Sequence, residues 1–242
     1  MKEVLPGIYL IGKYSLKSFG NSGYFVVHEG GNILVDAPEL TEEDSKFITD
    51  HGGLAKIFIT HIRAFGDACN LKTKFGASLI MHEGDARLAK GCTPDSTFSA
   101  EQKLYEDVTL IPTPGYTPGS SCMLLRSGKG VLFCGDMFWW GNRDRYSGEL
   151  MSWPTEDDKK TWNLADGLVL NVNLLDSDIS KMKESAQTLL NYEFDAILMS
   201  HPNYPPRARG PILSGGKNAV QETLSTGKMT QFTDWMRQEL KN

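Results

Sequence analysis

The sequence predicts an α/β fold in which sheets are layered between helices. Three observations predict it. Short apolar runs alternate with helical stretches along the first half, and the second half repeats that pattern. The composition is that of a globular chain, 40% hydrophobic and 23% charged over 242 residues. Several of the apolar runs end in a polar residue followed by a loop, as strands of layered α/β folds do where they carry chemistry.

The elements follow in order. Gly7–Gly12 and Gly23–His28 read as strands, and Asn32–Asp36 as a short buried strand ending in an acid. Leu40–Gly52 reads as a helix, with Thr41 as N-cap and Asp44 three residues on, the spacing of a capping box. Lys56–Thr60 is a buried strand running into His61, Cys69–Phe75 a helix, and Ser78–Met81 a strand before His82. Val108–Pro112 and Ser121–Leu125 are strands around Thr113–Gly119, and Gly130–Cys134 is a strand ending at Gly135-Asp136. A long loop rich in Trp and Tyr is expected from Trp139 to about Leu164. Ser177–Tyr192 has apolar residues at helical spacing, Asp195–Ser200 is a final strand followed by His201, and Thr230–Leu240 is a C-terminal helix. With no linker-like stretch or repeat, the whole of residues 1–242 is expected to form one domain.

The net charge of −5 argues against a phosphate backbone as partner, so no nucleic-acid partner is expected. No apolar window approaches membrane-spanning length, and no signal peptide is read at the start, so a cytoplasmic protein without membrane contact is expected. The four cysteines, Cys69, Cys92, Cys122 and Cys134, form no C-x-x-C pair and are expected as reduced, mostly buried thiols.

Six ordered segments carry a resemblance: PGIYLIG, ILVDAP, IFITH, TPGYTPGS, VLFCGD and ILMSH. Together, across roughly residues 5–205, they resemble the metallo-β-lactamase superfamily. KSFGNSGYFV and the long spacing from His61 to Asp67 resemble a branch found in photosynthetic bacteria and plants. The resemblance implies a four-layer αββα sandwich of two mixed β-sheets flanked by helices. It also implies a site fed by H-x-H-x-D-H, TPGHTPG, a bridging Asp and a last His, which bind two metal ions, usually zinc and sometimes iron or manganese. Imidazoles and carboxylates suit such ions, and a metal pair activates water and clamps a leaving oxygen.

This chain departs from that pattern. His61, Asp136 and His201 match motif positions, and Asp67 matches the motif Asp in the longer-spaced register. Arg63, Ala68 and Tyr116 stand where histidines belong. The full pattern calls for five histidines at the site; the chain has five in all, and His28, His51 and His82 lie off the motifs. A two-metal cage is therefore excluded.

His61, Asp67, Asp136 and His201 remain as ligands for one divalent metal (zinc, iron or manganese), with Asp67 or Asp136 as general base and Tyr116 as an oxyanion donor. The competing expectation is metal-free: Arg63 supplies the missing cation by pairing with Asp67 or Asp136. Asp36 is expected to satisfy its turn or orient a ligand, and Cys134 to be a buried thiol.

Two functions follow from this. One is a hydrolase of ester, thioester, lactone or phosphoester bonds; the other is a non-catalytic binding or scaffold protein that kept the fold. The partner expected is a small molecule. An anionic one would meet Arg143, Arg145, Arg207 and Arg209; an aromatic one would meet Phe138, Trp139, Trp140, Tyr146 and Trp153, a group that also suits a homodimer contact.

Overall fold

The structure, a computed structural model, describes residues 1–13, 22–141, 167–173, 176–200, 212–227 and 229. The expected helix Thr230–Leu240, His201, the four loop arginines, Tyr146 and Trp153 lie outside the described residues.

Two mixed sheets form the centre. The first has seven strands in chain order: β1 (Lys2–Leu5), β2 (Ile8–Ile11), β3 (Gly23–Val26), β4 (Ile33–Val35), β5 (Lys56–Ile59), β6 (Ser78–His82) and β7 (Ser96–Phe98). β1 to β4 pair antiparallel, and β4 to β7 pair parallel. The second sheet contains β8 (Gln102–Lys103), β9 (Val108–Pro112), β10 (Ser121–Leu125), β11 (Val131–Gly135) and β14 (Ala196–Met199), in the order β14-β11-β10-β9-β8. β11 and β14 run parallel.

A separate hairpin-like pair joins β12 (Phe138–Gly141) to β13 (Gly167–Leu170). Phe138, Trp139 and Trp140 therefore stand on a strand, although their polar surroundings read as loop. Phe138 is buried, because alternate strand positions turn toward the core.

Alternation on the strands builds three apolar layers. On β5, Phe58 faces inward to the other sheet, while Ile57 and Ile59 face outward. On β10, Met123 and Leu125 face inward, and Cys122 and Leu124 outward. The inter-sheet layer contains Tyr24, Phe58, Val108, Met123, Phe133 and Leu198.

Helices cover both outer faces. Helix α1 (Glu42–Asp50) and α2 (Ala68–Phe75) lie on the first sheet through Ile48 and Leu71. The short α3 is Glu83–Ala86. Helix α4 (Ile179–Leu189) and α5 (Gly216–Thr226) lie on the second sheet through Met182, Ala186, Leu189 and Val220. The chain is the four-layer αββα sandwich expected. Thr41 and Asp44 form the reciprocal capping box of α1. Helix α5 had no clear sequence signal, since it begins at Gly215-Gly216, residues that favour turns over helix starts.

The cysteines divide. Cys122 and Cys134 are free and fully buried, and burial pushes the Cys122 thiol up to about 12 and the Cys134 thiol well above its ordinary value. Cys69 and Cys92 instead form a disulfide, with Cα atoms 5.6 Å apart. The expectation of reduced thiols is wrong for this pair: the fold brings the first turn of α2 beside the loop after α3, which a separation of 23 residues does not announce.

Among the described residues no helix is long and apolar enough to cross a membrane.

Candidate functional site

Five strand or turn ends meet at one edge of the sandwich. β4 ends at Asp36, β5 at Thr60-His61, β11 at Gly135-Asp136 and β14 at Ser200, while the β9–β10 turn contributes Tyr116. Backbone bonds tie the two sheets here: Ser121 N–H donates to the Thr60 carbonyl at 2.8 Å, and Ser200 N–H to the Gly135 carbonyl at 3.0 Å.

A buried chain of hydrogen bonds fixes His61. Asp36 holds a left-handed φ of 63°, which is uncommon for a non-glycine residue. Its carboxylate accepts from Thr60 N–H (2.8 Å), Thr60 Oγ1 (2.8 Å) and Ser200 Oγ (2.7 Å). The Thr60 hydroxyl proton is therefore committed to Asp36. The contact of 2.9 Å between Thr60 Oγ1 and His61 Nδ1 then requires Nδ1 to be the donor. Burial raises the Asp36 pKa, and the His61 charge and these donors pull it back. Gly135 makes the close approach possible: at φ 55°, a Cβ there would lie 2.4 Å from Thr60 Oγ1 and 3.2 Å from His61 Nδ1.

With Nδ1 committed as donor, the neutral His61 ring carries its lone pair on Nε2. Nε2 is buried, makes no hydrogen bond to a described residue and faces Asp136 Oδ2 at 3.4 Å. Tyr116 donates its hydroxyl to the same oxygen at 3.0 Å, and its ring lies edge-on to the imidazole, centroids 5.0 Å apart. Burial raises the Tyr116 pKa far above its ordinary value; the Asp136 charge adds to the rise and Arg63 opposes it. The phenol stays a hydrogen-bond donor at any physiological pH.

Arg63 sits on the other side of Tyr116, its guanidinium carbon 6.0 Å from the ring centroid. Its ion pair is with Asp176, at 2.6 Å, and Nη2 also reaches Asn173 Oδ1 at 3.3 Å. The anticipated pairing with Asp67 is not what forms: Asp67 precedes α2, and its carboxylate accepts from the Asn70 amide at 2.6 Å. The structure thus brings together His61, Tyr116 and Asp136, with Arg63 at the rim. It leaves Asp67 outside that group.

Sequence reasoning missed three residues. Buried Asp85 accepts from Ile62 N–H (2.7 Å), Thr117 Oγ1 (2.6 Å) and Gly119 N–H (2.8 Å), so it clamps the His61–Arg63 loop to the Tyr116 turn. Asn173 donates to the Tyr116 carbonyl at 2.6 Å, and Asp176 holds Arg63. All three act across long chain separations, and none stands in a motif.

The other described histidines are engaged elsewhere. His28 pairs with Asp107, His51 contacts the Phe47 carbonyl, and His82 caps α3 by accepting from Gly84 N–H. Among the described residues no two-metal cage is assembled. One ion does fit the pair: a buried imidazole lone pair and a carboxylate oxygen 3.4 Å apart can both reach an ion at bond lengths of about 2.0–2.2 Å. No group of three or more metal-binding side chains occurs among the described residues.

Comparison with solved structures identifies the architecture. The chain is similar to DIM-1 metallo-β-lactamase exposed to ceftazidime, at TM-score 0.63 and 19% identity over 94% of this chain and 96% of that one. It is similar to the metallo-β-lactamase of Cronobacter sakazakii with a HARLDQ motif, at TM-score 0.57 and 18% identity over 93% and 92%. It is also similar to TTHA1623 in a di-iron-bound form, at TM-score 0.56 and 16% identity over 80% and 90%. No protein-family model matches the chain, and no curated relative does. The chain has the metallo-β-lactamase fold.

Proposed function

We propose that this metallo-β-lactamase-fold chain is a hydrolase of ester-type bonds whose centre is the His61–Asp136 pair holding a single divalent ion. The observation that carries this reading is the buried His61 Nε2, which makes no hydrogen bond among the described residues and lies 3.4 Å from a carboxylate oxygen. Two acceptors facing each other in a buried site need a cation between them, whether a proton or a metal ion. The partner of Nδ1 suits the metal. A ligating imidazole donates its other nitrogen to a supporting acceptor, and Thr60, backed by Asp36 and Ser200, supplies that acceptor here. The resemblance in sequence adds His201 as a further ligand; it directly follows Ser200. His61-Ile62-Arg63 reads His-x-Arg, as do the first three letters of the HARLDQ motif named for the Cronobacter protein.

When bound, a divalent ion supplies Lewis-acid polarisation of water and of the substrate's oxygen. The protein's own groups do the rest. Asp136 takes the proton from the attacking water as general base. Tyr116, held protonated, fixes the rotation of that carboxylate through its 3.0 Å bond. The Asp36–Thr60 pair holds the imidazole in one ring orientation.

The test is turnover of p-nitrophenyl acetate, an acyl thioester, a lactone and p-nitrophenyl phosphate by protein supplied with zinc, iron(II) or manganese. We expect hydrolysis of at least one of them. We expect Asp136→Asn to lower kcat/KM about 100-fold or more, the scale of a lost general base. No turnover above buffer in all four classes, or an unchanged Asp136→Asn variant, overturns the reading.

A further inference from the structure

We infer that Arg63 is the anchor for a carboxylate on the substrate, and that Asp176 holds its place in the resting protein. The inference rests on the hydrolase reading above and names its substrate class: esters or related acyl compounds whose acyl part bears a second, free carboxylate.

Four observations carry it. First, the Arg63 guanidinium already binds a carboxylate, through Nη2 and Asp176 Oδ1 at 2.6 Å, so the chemistry of the position is demonstrated by an internal ligand. Second, that ligand is solvated. The Arg63 and Asp176 side chains are 26% and 36% exposed, and ion pairs this open to water are weak enough for an incoming carboxylate to exchange with the internal one. Third, the anchor stands one tyrosine ring from the centre. Arg63 lies 6.0 Å from the Tyr116 centroid, and Tyr116 touches Asp136 and packs on His61. Tyr116 thus links the anchor to the His61–Asp136 pair by direct contact on both sides.

Fourth, the turn bearing Asp176 is strapped to the same tyrosine. Asn173 and Ser177 both donate to the Tyr116 carbonyl, and Asp176 N–H donates to Asn173 Oδ1. Asn173 Oδ1 also accepts from Arg63, so the amide lines the anion position as well as the strap. In an acidic chain of net charge −5, a small anion gains little from the overall field. A defined guanidinium fork is what selects it.

The experiment measures binding and rate separately. Calorimetry is run with glutarate and with its uncharged diamide, glutaramide, on the full chain and on Arg63→Gln and Asp176→Asn. The expected result is binding of glutarate but not glutaramide. Asp176→Asn, which removes the carboxylate that pairs with Arg63, should tighten glutarate about tenfold, and Arg63→Gln should weaken it at least about tenfold, the scale of one charge-assisted pair. Equal glutarate affinity in wild type and Arg63→Gln, or no glutarate binding to Asp176→Asn, overturns the inference.

In parallel, kcat/KM is compared for mono-p-nitrophenyl glutarate and p-nitrophenyl butyrate. The charged ester should be preferred in the wild type, and the preference should vanish in Arg63→Gln. Hydrolysis of both esters at equal rate, with binding indifferent to Arg63, sinks the anchor and leaves the hydrolase standing. Arg63-dependent glutarate binding without turnover of either ester sinks the hydrolase reading and leaves the anion site.

Discussion

His61 shows how much a single residue depends on its neighbours' protons. Its nitrogen roles are dictated by Thr60, whose own proton is held by Asp36. That arrangement needs Gly135, where no Cβ intrudes on Thr60. Gly135→Ala should therefore do more than strain a left-handed backbone position. It should push Thr60 away from His61 and lower kcat/KM about 100-fold or more, the penalty of about 1 Å of misplacement, in protein that remains folded by circular dichroism. Activity within twofold of wild type would mean that the Thr60–His61 contact does not set the imidazole's orientation. Asp36, His61, Tyr116 and Asp136 could be singled out in the sequence because each closes an apolar strand or sits in a compact turn motif. Asp85, Asn173 and Asp176 could not, because their roles exist only after distant loops meet.

At the scale of elements, strand ends carry the chemistry and short helices brace it. Helix α3 is the clearest brace: His82 begins it by accepting from Gly84 N–H, and Asp85 within it clamps the two site loops. Burial lowers the His82 pKa from its ordinary value, against the opposing charges of Asp85 and Glu83. A histidine whose folded pKa is depressed stabilises the fold above its unfolded pKa of about 6.5. That contribution is lost as pH falls below 6.5 and through the depressed value. Protonation at Nδ1 also removes the acceptor that the cap uses.

The protein should thus lose stability to urea between pH 7.5 and pH 5.5, and His82→Asn, which keeps a capping acceptor without a titrating ring, should lose less. An identical pH dependence in both proteins would remove His82 from the account. Elements with strong local signals, such as the Thr41–Asp44 capping box, were legible in advance. The β12–β13 pair was not, because its partner strand lies beyond a long intervening segment and polar residues surround its aromatic ones.

For the whole molecule, two apolar outer layers and one inner layer lock the sheets so that their loop edges coincide. The order of apolar runs made this legible, since alternation on β5, β10 and β14 sends consecutive residues to different layers. The disulfide between Cys69 and Cys92 was illegible, because only the packed fold brings those two positions within 5.6 Å. The same fold leaves a centre reduced to one imidazole and one carboxylate among the described residues, with histidines 28, 51 and 82 spent elsewhere.

The His61–Asp136 pair is proposed to hold one ion. The direct measurement is metal stoichiometry by elemental analysis after zinc or iron(II) loading and desalting, on wild type, His61→Ala and Asp136→Ala. One metal per chain is expected in the wild type, with loss of that metal in both variants. Two metals per chain, none, or one that survives both substitutions would contradict that proposal.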